Sequence, residues 1–288
     1  MPGANVPTTD ETGELDSAFT RWSLADAALI ADTRICQVFR VRQADGSAAA
    51  LKLLKPHGAD EIVGARLMQW WGGEGAARII AIEGRAILME WLDGGPLGDL
   101  VRRDGRDTEV TAILCDVLAG LHRPHRTPPR GLEPLERRFA PLFEGRPEDW
   151  PVSHRAMAAR AVALATALLA TTTEAIPLHG DFHHDNIVGS ARGWLAIDPK
   201  GVLGDPHYDV ANVFRNPYGA GALAQQPERI DGLADVFAAR LGFDRKRTLQ
   251  WAAAHCALSE CWNRQDGGEG DFNLIMLPLL LAAADRSA

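Results

Sequence analysis

The chain changes texture once, near Trp91, and that change limits the folds open to it. Before it, short apolar runs alternate with turn signals. L-I-A-D-T (29–33), C-Q-V-F-R-V-R (36–42) and A-A-A-L-K-L-L (48–54) lie around A-D-G-S at 44–47, the pattern of strands joined by a D-G turn. In D-E-I-V-G-A-R-L-M-Q-W-W (60–71), Ile62, Ala65, Leu67, Met68 and Trp71 fall near helical spacing, Asp60 is a candidate cap, and G-G-E-G at 72–75 ends the run. A-R-I-I-A-I and A-I-L-M-E-W read as two further strands around E-G-R. Beyond L-D-G-G-P-L-G at 92–98 helical patterns dominate, at 108–123, 153–172, about 228–241, 246–263 and 272–286, with one β-rich interruption at 177–199. This order predicts an α+β fold in two lobes. Residues 1–16 read as a loose tail, 17–91 as a small β-rich lobe, 92–98 as a hinge and 99–288 as a larger, mostly helical lobe. The proline-rich stretch 124–151 is either a functional connection or a plain linker.

Composition narrows the function classes. A chain of 288 residues with 46% hydrophobic content can bury a core of this size. The net charge is -8, and the basic piece R-R-D-G-R at 102–106 is short and broken by Asp104. That argues against a nucleic-acid partner and leaves room for a cationic small substrate. The most apolar stretch, N-L-I-M-L-P-L-L-L-A-A-A near 273–284, contains Pro278 and is too short to cross a bilayer, so it reads as a buried helix rather than a membrane anchor. The polar, acidic N-terminus lacks the basic start and apolar run of a signal peptide, which points to the cytoplasm. Cys36, Cys115, Cys256 and Cys261 form no C-x-x-C pair and read as reduced, buried thiols.

The chemistry is concentrated in L-H-G-D-F-H-H-D-N-I-V, 178–188. His179 and His183 are four apart, the spacing of zinc-binding histidines on one helix face. Gly180 between them and the extended flanks I-P-L and N-I-V argue against a helix, and so against zinc. The stretch also reads as H-G-D-x-x-x-x-N, from His179 to Asn186, followed twelve residues later by Asp198 at the end of W-L-A-I-D-P. Phosphoryl transfer requires a carboxylate that takes the acceptor's hydroxyl proton and hard oxygen ligands for magnesium.

This constellation resembles the protein-kinase-like superfamily, in which a catalytic loop precedes a strand that ends in a metal-binding Asp. The first lobe agrees. A-A-A-L-K-L-L supplies Lys52, with Lys55 close behind, and the helix after it supplies Glu61. M-E-W-L-D at 89–93, with Glu90 and Leu92, corresponds to the segment where backbone groups bond an adenine. No glycine-rich loop precedes Lys52; A-D-T-R-I-C-Q-V-F-R-V stands there, so phosphate contacts fall to its backbone, Thr33 or Arg34. The absence of D-F-G after the strand and of A-P-E argues against an ordinary protein kinase.

Within this fold the chain resembles the aminoglycoside phosphotransferases, most closely the streptomycin 6-kinase and hydroxyurea phosphotransferase group. The matching text is L-I-A-D-T, L-K-x-L-K-P, D-E-x-x-G-A, W-x-G-x-G-A-x-R, L-H-G-D-x-H-H-x-N-I, G-W-L-x-I-D-P-x-G and S-x-x-W-N at 259–263. The resemblance implies a bilobal kinase-like fold and ATP- or GTP-dependent phosphorylation of a small, hydroxylated, cationic molecule. It implies Asp181 as base, Asn186 and Asp198 as Mg2+ ligands, Lys52 on the nucleotide phosphates with Glu61 behind it, and Glu90 and Leu92 at the nucleotide base. It also implies that Asp205 and Asp209 brace the catalytic loop. For the acceptor pocket, Glu260, Asp266, Glu269 and Asp271 are candidate carboxylates and Trp262 a candidate wall. Three readings stay open: a streptomycin-type kinase, a kinase of another hydroxylated metabolite, and an idle nucleotide-binding module.

Overall fold

The structure, a computed structural model, describes residues 9–123, 127–268 and 270–287. Its first lobe is an antiparallel sheet of five strands, β1 (Ala25–Asp32), β2 (Cys36–Arg42), β3 (Ala48–Leu54), β4 (Ile79–Glu83) and β5 (Ala86–Glu90), in the order β1-β2-β3-β5-β4. Strand alternation divides the residues of β3 between two faces. Ala49, Leu51 and Leu53 join Phe39 and Val41 under helix α1 (Thr9–Trp22), which packs through Leu15, Ala18, Phe19 and Trp22. The other face carries Lys52 and Leu54 toward helix α2 (Ile62–Trp71), where Leu54 and Ile87 meet Ala65 and Ile62. Lys52 therefore points from a central strand into the space between the lobes, paired in register with Val38 and Ile87.

Residues 9–16 are thus not the loose tail expected from their polarity. They begin an amphipathic helix whose apolar positions recur every three or four residues and close one face of the sheet. Residues 1–8 lie outside the described residues. Asp60 makes no capping bond either: α2 is entered through a 3₁₀ turn, Pro56–Glu61, and Glu61 holds the N-cap position.

The second lobe contains α3 (Gly98–Asp104), α4 (Asp107–Leu121), β6 (Glu133–Pro134), α5 (Leu135–Arg138), α6 (Ala140–Glu144), α7 (Arg155–Ala170), β7 (Ile176–Leu178), β8 (Ile187–Ser190), β9 (Gly193–Ala196), β10 (Val202–Gly204), α8 (Gly221–Ala224), α9 (Pro227–Leu241), α10 (Arg245–Gln265) and α11 (Phe272–Arg286). The described part of 124–151 thus carries β6, α5 and α6, and residues 124–126 lie outside the description. Helix α10 is buried from Thr248 to Cys261 apart from Gln250 and lies against α7, α11 and a 3₁₀ run, Pro206–Arg215. Phe139, Phe214, Phe237, Trp251 and Leu280 fill one continuous core around it. No helix among the described residues is long and apolar enough to cross a membrane.

The β8–β9 hairpin ties the lobes together. Gly94 N–H donates to Gly189 O at 3.0 Å and Leu97 N–H to Ile187 O at 2.7 Å, fastening the hinge to β8. On the other side Ala77 N–H donates to Ala196 O at 2.9 Å, and Ala196 N–H returns a bond of 2.9 Å to Gly75 O. At Gly64 a β-carbon would collide with the carbonyl oxygen of Pro199, so only glycine lets α2 approach the segment after Asp198 this closely.

Candidate active site

The loop after β7 is held from behind. Asp209, buried in the 3₁₀ run, accepts His179 N–H on Oδ2 at 2.9 Å and Gly180 N–H on Oδ1 at 2.7 Å, and His122 Nε2 lies 2.9 Å from Oδ2. Burial alone would raise the Asp209 pKa; the bonds from His122 and the loop outweigh it, and the carboxyl sits below the usual carboxylate range. His179 is buried, and burial lowers its pKa, so the ring is neutral. Its Nδ1 accepts Asp181 N–H at 3.3 Å, which leaves Nε2 to donate to Ile197 O at 2.9 Å. The histidine of H-G-D is therefore a joint between the loop and the strand that carries Asp198, and it does not sit on a helix face with His183. Gly180 has φ +78°, left-handed backbone that glycine adopts freely, and its carbonyl accepts from Arg138 Nη2 at 2.9 Å.

These contacts turn Asp181 outward. Its Oδ1 accepts from Asn212 Nδ2 at 2.8 Å and its Oδ2 from Asn186 Nδ2 at 3.3 Å. Asn186 Nδ2 also bonds Asp181 O at 2.9 Å, so the amide nitrogen is spent and Oδ1 is left as an acceptor facing the cleft.

Across from the loop, four charges alternate in a square. Lys52 Nζ bonds Glu61 Oε2 at 3.1 Å and also Asp198 Oδ1. Lys200 Nζ bonds Glu61 Oε1 at 2.6 Å and lies 3.5 Å from Asp198 Oδ2. Burial would depress Lys52, but the two carboxylates outweigh it and keep the ammonium charged. Asp198 is held ionised by the two lysines against its own burial. Its φ of +58° is left-handed, a conformation that Asp tolerates better than most residues.

Between the lobes lies a cleft of about 480 Å³, with an apolar upper part from Val38, Ala50, Met89 and Leu92 and a polar end at Lys52, Asn186 and Asp198. Glu90 lines it too, with its carboxylate held by Arg78 N–H at 2.7 Å and by Arg192. In place of a glycine-rich loop the turn Thr33–Ile35 closes on itself: Thr33 N–H reaches Cys36 O at 2.9 Å, and Thr33 Oγ1 accepts Cys36 N–H at 3.0 Å. Lys55 bonds Asp32 at 2.7 Å beneath this turn and is not a second cleft cation. The donor set suits magnesium: Asn186 and Asp198 present hard oxygens to one cleft, and this ion takes its remaining ligands from water and phosphate. No group of three or more His, Cys, Asp or Glu among the described residues forms a self-sufficient metal cage.

The expected acceptor residues fare differently. Trp262 stacks under Arg138, 5.1 Å from the guanidinium carbon to the ring centroid, and so stands one residue removed from the catalytic loop. Glu260 is buried, with Oε1 bonded to Arg264 at 2.7 Å and Oε2 to Asn273 at 3.2 Å; this pairing occupies the carboxylate that was expected to meet a substrate amine. Asp266 reaches across the lobes to Arg34 at 2.9 Å. Asp271 is the residue before α11, and Glu269 lies outside the described residues. Asp209 braces the loop directly, whereas Asp205 braces α10, through Trp251 Nε1 at 3.0 Å and Arg247 Nε at 2.6 Å. Four residues at the site were not singled out from sequence: Lys200, Arg138, Asn212 and Arg215. Lys200 and Asn212 stood in plain view within I-D-P-K-G and D-V-A-N, but nothing local told their direction.

Comparison with known proteins agrees with this geometry. The model of the family described as aminoglycoside/hydroxyurea antibiotic resistance kinase matches residues 21–267. The streptomycin 3''-kinase of Klebsiella pneumoniae is 41% identical over 86% of this chain and 91% of its own length. The hydroxyurea phosphotransferase of Kitasatospora aureofaciens is 32% identical, covering 88% and 74% respectively, and the streptomycin 6-kinase of Streptomyces griseus 29% identical, covering 86% and 81%. Among solved structures, a thermostable mutant of aminoglycoside phosphotransferase APH(4)-Ia with AMP-PNP and hygromycin B superposes with TM-score 0.70 at 15% identity, over 97% of this chain and 99% of that one, which shows the shared fold. The bilobal architecture, the charge square behind the catalytic loop and the match over most of the sequence lead to one conclusion: this chain belongs to the aminoglycoside/hydroxyurea antibiotic resistance kinase family.

Proposed function

We propose that the protein transfers the γ-phosphoryl group of ATP or GTP to a hydroxyl of a streptomycin-type aminoglycoside in the cytoplasm, and so confers resistance to it. The observation that carries this reading is the convergence of Lys52, Asn186 and Asp198 on one cleft, with Asp181 at its edge on the same loop as Asn186. The apolar part of the cleft suits a purine, and backbone groups from Glu90 to Leu92 lie where its edge would bond. Lys52, aimed by Glu61, meets the phosphates. Asn186 and Asp198 would hold magnesium, which would neutralise charge on the phosphates. Asp181 accepts the acceptor's hydroxyl proton as the oxygen attacks phosphorus. Relatives of the chain include streptomycin kinases of both 3'' and 6 specificity and a hydroxyurea phosphotransferase, which supports this acceptor class.

The test is a panel of streptomycin, hygromycin B, hydroxyurea and choline with magnesium and either ATP or GTP. Phosphate transfer to streptomycin is expected, with NMR of the product giving the modified hydroxyl. Turnover of choline with none of streptomycin overturns the acceptor. Asp181→Asn should lower kcat by roughly 10²–10⁴, the usual worth of acid–base assistance. Near-normal turnover in that variant removes Asp181 as the base.

A further inference from the structure

The two oxygens of Asp181 are not equivalent. Oδ1 takes a 2.8 Å bond from Asn212, while Oδ2 has only longer contacts, 3.3 Å from Asn186 and 3.8 Å from His183 Nε2. The Asn212 amide cannot be turned round. Its own Oδ1 accepts from Arg215 Nη1 at 3.1 Å and from Asn216 Nδ2 at 3.1 Å, so a flip would set its NH2 against two donors and its carbonyl against a carboxylate. Arg215 is in turn fixed to the late helices, with Nη1 on Ser259 Oγ at 2.8 Å and Nε on Asn273 Oδ1 at 3.0 Å. Asn273 then bonds Glu260, and Glu260 bonds Arg264. Donation thus runs two ways from Arg215, through Asn212 to one oxygen of Asp181 and through Asn273 to Glu260, so the late helices fix the group that orients Asn212.

We propose that Asn212, oriented by Arg215, is a positioning residue for phosphoryl transfer: it pins Oδ1 of Asp181 and leaves Oδ2 to take the acceptor's proton. This rests on Asp181 being the base. A carboxylate pinned at one oxygen keeps the other within the narrow angular range that an attacking hydroxyl needs, and small misplacements at this step are costly. This network also gives Glu260 work that differs from meeting a substrate amine: it holds Asn273, which holds Arg215.

The experiment uses the full chain on the acceptor it turns over in the panel. In Asn212→Leu, kcat should fall on the order of 10²-fold, with both KM values and the affinity for magnesium AMP-PNP changed by about twofold or less. Asn212→Asp keeps the size of the residue and its acceptor for Arg215 and Asn216 but sets a charged oxygen against Asp181 in place of the donating NH2; its kcat should fall at least as far. In an Asp181→Asn background the Asn212→Leu change should add nothing beyond about twofold, because the group it positions is already gone. Wild-type kcat in Asn212→Leu, an equal loss in both backgrounds, or a loss confined to KM overturns the proposal. If Asp181→Asn alone leaves turnover intact, it is the assignment of the base that has failed, and the single Asn212 variants distinguish the two cases.

Discussion

Asp198, which lines the cleft, and Asp209, which is buried, are both kept ionised, yet their partners are of opposite kinds. Asp198 is met, among the described residues, by the ammoniums of Lys52 and Lys200. These are point charges on long stems that can move without disturbing the backbone. Asp209 is met by the backbone N–H groups of His179 and Gly180, which cannot move unless the fold moves, and by the His122 ring. The difference separates two uses of one side chain. A carboxylate whose partners can let go is free to exchange them for a metal ion, and one whose partners are backbone is a fixture.

Breaking the exchangeable side should show the largest effect, and in turnover. Asp198→Asn is expected to lower kcat on the order of 10³-fold, about 4 kcal/mol of transition-state stabilisation. Its urea midpoint should move less than that of Asp209→Asn; if it unfolds as readily, the distinction fails. The fixed side should break as stability. Asp209→Asn leaves two buried N–H groups and a histidine with a weaker acceptor, which costs roughly 3 kcal/mol. For a chain of this length that is a drop in Tm of roughly 5 °C by scanning calorimetry.

The pH dependence sharpens the same contrast. The Asp209 carboxyl lies lower in the folded than in the unfolded chain. The stability it contributes is therefore complete above the unfolded value, about 3.9, and is lost as pH falls through the folded value. Urea titrations of wild type and Asp209→Asn should differ at pH 7, begin to draw together below about pH 4, and meet only once pH has fallen through the folded value. A gap that persists in acid would show that the carboxylate charge is not what matters. The smallest effect belongs to the exposed pair across the lobes. Arg34→Ala should change stability by less than about 1 kcal/mol, because solvent screens Arg34 and Asp266. The thiols supply a control: burial pushes Cys115 and Cys261 up to about 11 and Cys256 up to about 12, so native protein at pH 8 should resist alkylation at these three.

Much of the layout was legible from the chain alone. The central strand, the stop at the glycines after Trp71 and the long late helices were all read from local pattern. The first helix was missed because its polar start hid the spacing of Leu15, Ala18, Phe19 and Trp22. At the site, Lys52, Asp181, Asn186 and Asp198 were singled out because a spacing along the chain maps directly onto one loop and one strand. The partners of Glu260 were not legible, because charge in a helix says nothing of what will meet it; Arg264, four residues on along α10, and Asn273, on another helix, claim it. Asn212 and Lys200 escaped notice for the same reason.

What the amino-acid sequence determined by itself is the set of short-range relations. The left-handed turn at Gly180, the five-residue separation of Asp181 and Asn186, and the alternation that sends Lys52 to one face of its strand all follow from backbone geometry over a few residues. Only the tertiary structure decided which distant groups complete them. Asp209 comes 29 residues after Gly180, Asn212 31 after Asp181, and Lys52 146 before Asp198. Contacts over such separations are set by how helices and sheet pack around a shared core, and no local pattern encodes which side chain will arrive.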